Sequence, residues 1–63
     1  MDGWKNWINK KVFIKTKRGR FYTGIVLNID YEYDKPRFLE LNDKFDKTVM
    51  FSLDEIAVIE EEN

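Results

Sequence analysis

The chain predicts a mainly β fold: a short N-terminal helix followed by five antiparallel strands wrapped into a small, strongly bent barrel. Three features carry that prediction. Short runs rich in Val, Ile, Phe and Tyr are separated by Gly, Asn, Asp or Pro turn signals. One of them, Phe21 to Asp30, is long and has Gly24 in its middle, where a strand bends or bulges. Helical spacing of apolar residues occurs only in the first ten positions.

In order, "MDGWKNWINK" places Trp4, Trp7 and Ile8 at i, i+3 and i+4, on one face of a helix over residues 1–9, with Asp2 as N-cap. A helix of about two turns does not stand alone in water and must pack on something. In "KKVFIKTK", alternation buries Val12 and Ile14 and turns Phe13 outward, where the two tryptophans are the expected cover. "KRGR" is a hairpin, with Gly19 supplying the positive φ such turns need. "RFYTGIVLNID" is the long bent strand, and "YEYDKP" is a polar connection closed by Pro36. "RFLELND" and "TVMFSL" are the third and fourth strands, joined by the turn "DKFDK". "SLDE" has the spacing of a capping box, Ser52 with Glu55, and reads as one helical turn before the fifth strand, "IAVIEEE". This succession is that of an SH3-like barrel. It makes one domain over residues 1–63: helix 1–9, barrel 10–61 and a frayed tail at 62–63.

Sixty-three residues bury a small core and are marginal alone. With neither Cys nor His, disulfides and the usual zinc sites are excluded, and no calcium-loop spacing is present, so no cofactor is expected. Oligomerisation or unusually good packing remains as a source of added stability, and oligomerisation gains weight as the expectation. The absence of His, Cys and a phosphate-binding loop also argues against an enzyme, and the adjacent carboxylates Asp54 and Glu55 point apart in a turn. No apolar run reaches membrane-spanning length and no signal-peptide core opens the chain, so a cytoplasmic protein without a membrane partner is expected.

Net charge is −1, yet the charges are polarised. Residues 1–20 hold seven Lys or Arg against Asp2 alone, while residues 30–63 hold eleven acids and four bases. Nucleic-acid binding by bulk electrostatics would need a basic domain, so any such contact must be local. Two solvated faces are the alternative.

The run Gly19, Arg20, Phe21, Tyr22, Thr23, Gly24, Ile25, Val26, Leu27, Asn28, Ile29, Asp30 resembles the first motif of the Sm/LSm family, Gly-Arg-x-apolar-x-Gly-x-apolar followed by apolar-Asp. "FSLDEI", Phe51 to Ile56, stands where the family's second motif, Ile-Arg-Gly-x-Asn-Ile, would be, and matches only at its apolar ends. The resemblance implies an Sm-like barrel that closes into a homo-oligomeric ring of six or seven subunits. The fourth strand of one subunit would pair with the fifth of the next, which assigns Val49, Phe51, Ile56 and Val58 to the interface.

The resemblance also implies single-stranded RNA at the pore. An aromatic, an Asn after the motif Asp and an Arg of the second motif form the base pocket there. In this chain Tyr31 and Tyr33 lie in that loop, Asp34 falls where the Asn would be, and Ser52 and Leu53 replace the Arg and Gly. Tyr31 and Tyr33 are stacking candidates, with packing against a neighbouring subunit as the alternative. Lys5, Lys10 and Lys11 are candidates for a basic face repeated around a ring, with ordinary solubilisation as theirs. Arg20 is expected to pair with an acid such as Asp30. The function so read is an RNA-binding Sm-like ring. The alternative is a structural or protein-binding ring, or an SH3-like interaction module, without nucleic acid.

Overall fold

The computed structural model describes residues 3–62, so the Asp2 cap and Asn63 lie outside the described residues. The elements are a 3-10 turn (Trp4–Trp7), β1 (Lys11–Thr16), β2 (Phe21–Glu32), β3 (Lys35–Asp43), β4 (Thr48–Ser52), a second 3-10 turn (Leu53–Glu55) and β5 (Ile56–Glu61). The five strands form one antiparallel sheet in the order β4-β3-β2-β1-β5. β4 and β5 are its two edges and do not pair with each other, so the sheet is not closed.

The N-terminal helix is shorter and tighter than its spacing predicts. In a 3-10 turn residues i and i+3 eclipse, so Trp4 and Trp7 still share a face and pack with Ile8 against the core. Asn9 ends the turn at φ 70°, and its N–H donates to the Val26 carbonyl oxygen at 2.8 Å. The tryptophans therefore cover the core rather than Phe13. The cover of Phe13 is Phe21, whose ring stacks on it with centroids 5.6 Å apart.

β2 serves two partners. Its first half pairs with β1, from Lys15↔Phe21 to Lys11↔Ile25. From Gly24↔Asp43 onward it pairs with β3. At the handover a Cβ on Gly24 would collide with the Asn42 carbonyl group and come within 2.8 Å of the Asp43 Cα, so β3 approaches as closely as it does only because the side chain is missing. Leu27 on β2 and Arg37 on β3 have no partner across the ladder, and these bulges add further bend.

Val12, Ile14, Val26, Ile29, Leu39, Leu41 and Phe51 form the core, and Tyr22, Tyr31, Val49, Leu53, Ile56 and Ile59 pack around it. Each aliphatic side chain fully removed from water contributes about 1.5–3 kcal/mol. The polar connection after β2 is much shorter than it looks in the sequence. Glu32 pairs with Lys35, Pro36 lies inside β3, and only Tyr33 and Asp34 turn the chain. Glu62, expected to fray, extends the β1–β5 ladder by donating its N–H to the Lys11 carbonyl oxygen at 2.8 Å.

Candidate functional site

The sequence points to two turns as a ligand site, residues 31–34 and 52–55. At the first, Tyr33 and Asp34 both have positive φ, 53° and 64°, the signature of a type I′ hairpin turn. Tyr33 is 92% exposed at its apex. Tyr31 instead packs against the core, and the Lys5 ammonium stands 5.0 Å from its ring centroid. Below the tip, Arg37 Nε and Glu32 Oε1 form an ion pair at 3.1 Å.

At the second turn, the Ser52 N–H donates to Glu55 Oε1 at 3.3 Å, the backbone half of the capping box. Ser52 pairs with Phe38 at the end of β4. A shallow hollow of about 90 Å³ joins Ser52 and Leu53 to Pro36 and Phe38 at the start of β3. The fold thus brings the second turn beside the base of the β2–β3 hairpin, while the Tyr31 ring goes to the core and Tyr33 to solvent.

Lys10 and Lys11 do not form an open basic face. Lys10 Nζ lies 3.5 Å from Glu61 and Lys11 Nζ 4.0 Å from Glu62, because β5 runs antiparallel to β1 and brings the acidic end of the chain alongside. Exposed pairs of this kind contribute little stability, but they neutralise the lysines locally.

The residues assigned to a subunit interface separate by alternation. Phe51 opposes Leu39 and is only 5% exposed, and Val49 opposes Leu41 on the same inner face. Ile56 packs around the core, whereas Val58 points outward beside Lys15. On β4 the outward apolar residue is Met50, 58% exposed. The available contact along these edges is therefore backbone plus Met50 and Val58.

Two features escaped the sequence reading. Asn28, Asp30 and Glu40 cluster across the β2–β3 ladder, where Asn28 opposes Glu40. Asn28 Nδ2 donates to Asp30 Oδ1 at 3.3 Å. The Glu40 carboxyl is held above its ordinary value, first by its hydrogen bond with Asp30, then by desolvation and the Asp30 charge, against a hydrogen bond with Asn28 that lowers it. Asp30 is thus engaged within the sheet, and among the described residues Arg20 forms no ion pair. The bulge at Leu27 sets this register, and no local pattern signals it.

The second feature is a cleft of about 490 Å³ between the β1–β2 hairpin turn and the β4 edge, with Arg18, Arg20 and Tyr22 facing Met50, Phe51 and Glu55. The Lys17 N–H donates to the Glu55 carbonyl oxygen at 2.8 Å and ties the hairpin to the second 3-10 turn.

Among the described residues no group of three or more His, Cys, Asp or Glu is placed to hold a metal, and no helix is long and apolar enough to cross a membrane. Comparison of the chain with protein-family models, with curated proteins and with solved structures finds no match.

Proposed function

We propose that the chain is an Sm-like subunit that assembles edge to edge into a homo-oligomeric ring of six or seven copies and binds single-stranded RNA. The supporting observation is the pair of open edges. β4 (Thr48–Ser52) and β5 (Ile56–Glu61) end the sheet on opposite sides. Natural proteins blunt exposed edges with Pro, charge or bulges. β4 has none of these: it reads Thr, Val, Met, Phe, Ser. β5 has a bulge near Ala57 but is apolar from Ile56 to Ile59. Pairing β4 of one copy with β5 of the next would satisfy both rows of backbone groups and cover Met50 and Val58. In this reading the bend at Gly24 and the bulges curl each sheet into an SH3-like barrel. The motif from Gly19 to Asp30 supports the same architecture. The protein is a binding protein rather than an enzyme, and its cytoplasmic location, checked by fractionation, is part of the proposal.

Native mass spectrometry tests the assembly. Six or seven times the 7.7 kDa chain mass is expected, and a stable monomer at micromolar concentration would refute it. One observation favours the rival, a structural or protein-binding ring: Lys10 and Lys11 sit against Glu61 and Glu62. Titration of short single-stranded RNA at low salt separates the two, with binding that weakens steeply as salt rises expected for RNA and no retention for the rival.

A further inference from the structure

We propose that the outer face of the β1–β2 hairpin is a binding site for single-stranded nucleic acid, distinct from the β2–β3 tip. The inference rests on the nucleic-acid part of the reading above and is independent of ring formation. Strand alternation turns Phe13 and Lys15 outward on β1, and their partners Thr23 and Phe21 share that face. Phe21 is 62% exposed, yet its ring is held in place by the Phe13 ring behind it, 27° from parallel. Lys15 Nζ stands 5.7 Å from the Phe21 centroid. Bases stack on such aromatic platforms without regard to sequence, and nearby cations track the phosphates.

The charge on this hairpin is of one sign. Lys15, Lys17, Arg18 and Arg20 fall within six residues, and among the described residues none of them forms an ion pair. This separates them from Lys10, Lys11 and Arg37, each of which has a glutamate within 4.0 Å. Lys15 stands at the exposed Phe21 ring, and Lys17 and Arg18 follow in the adjoining turn, while Arg20 alternates to the inner side with Tyr22. The ring and these cations complement an anionic chain that carries stackable bases. Acids do border the face. Glu60 opposes Phe13 from β5, and Asp54 and Glu55 line the cleft beneath Arg18 and Arg20. An exposed ring meets unstacked bases, which a single strand offers and a duplex does not.

The test is fluorescence anisotropy with labelled oligouridine and oligothymidine of about ten nucleotides, on the full chain. Phe21→Ala should weaken binding about tenfold, a loss in the range of one stacked base. Replacing Lys15, Lys17 and Arg18 by Gln should weaken binding and flatten the slope of log affinity against log salt by about 2. The control Lys44→Gln with Lys47→Gln, which removes two cations away from this face, should leave affinity unchanged, and Glu60→Gln should raise it. Circular dichroism melting confirms that the variants fold. Equal binding of the two oligonucleotides supports a general single-strand site, and a preference for oligouridine that persists against oligodeoxyuridine supports one that reads the 2′-hydroxyl. Wild-type affinity in the hairpin variants, with loss on Tyr33→Ala, would overturn the inference and leave RNA binding at the tip standing. Absence of binding to either oligonucleotide at low salt would overturn both, while native mass spectrometry would still report on the ring.

Discussion

Gly24 and Glu40 show how much a single position decides in a domain this small. At Gly24 the obstruction to a Cβ is backbone, the Asn42 carbonyl group and the Asp43 Cα, which cannot rotate away as a side chain would. Gly24→Ala should therefore cost about 3 kcal/mol, the upper part of the range for overpacking, read as a lower denaturation midpoint at unchanged slope. Glu40 gives a pH signature. Its folded carboxyl is raised by Asp30, so the folded state holds a proton that the unfolded state releases. The resulting stability is fully present below the ordinary carboxylate value and is lost as pH rises through the folded one. At pH 7 two like charges then face each other. Glu40→Gln should raise the melting temperature at pH 7, and the gain over wild type should shrink as pH falls toward 4.5. A constant gain across that window would show that the Glu40 carboxyl is not raised in the folded state.

At the scale of elements, the turns carry the lesson. The first hairpin was legible because Gly19 announces its αL position, and the structure places it at φ 86°. Asp46, at φ 61°, occupies the equivalent position between β3 and β4 without announcing it. Tyr33 and Asp34 hide a type I′ turn, since neither is the Asn-Gly pair that such turns prefer. Tyr33→Asn with Asp34→Gly should raise stability by about 1 kcal/mol, or roughly 5 °C, measured by thermal melting. No gain would show that the tip is already relaxed. Pro36 misleads for a related reason. It reads as a loop closer, yet it opposes Tyr31 next to the bulge at Arg37, where the ladder is already interrupted. The N-terminal turn lost length because two tryptophans and Ile8 need only one turn to reach the core, and Asn9 then binds the chain to β2.

At the scale of the whole molecule, edge assembly makes the subunit's stability depend on its neighbours. Met50→Lys and Val58→Lys place charges on exposed outward positions of the two edges, where the isolated fold tolerates them. Each should convert a ring to smaller species while far-ultraviolet circular dichroism stays β-like, and the wild-type melting temperature should rise with protein concentration. A melting temperature independent of concentration would contradict the assembly. By itself, the sequence determined the five strands in outline, the bend at Gly24 and part of the core, since Val12 and Ile14 follow from alternation, a local property of the extended chain. Only the tertiary structure decided which charges compensate one another and which apolar residues remain outside. Lys10 meets Glu61 and Lys11 meets Glu62 because β1 lies between β2 and β5, and the same order leaves Lys15 and Phe21 on an open face. Ion pairs and exposure depend on strand order and register, which are set by packing between segments far apart in the chain, and no pattern within one segment records them.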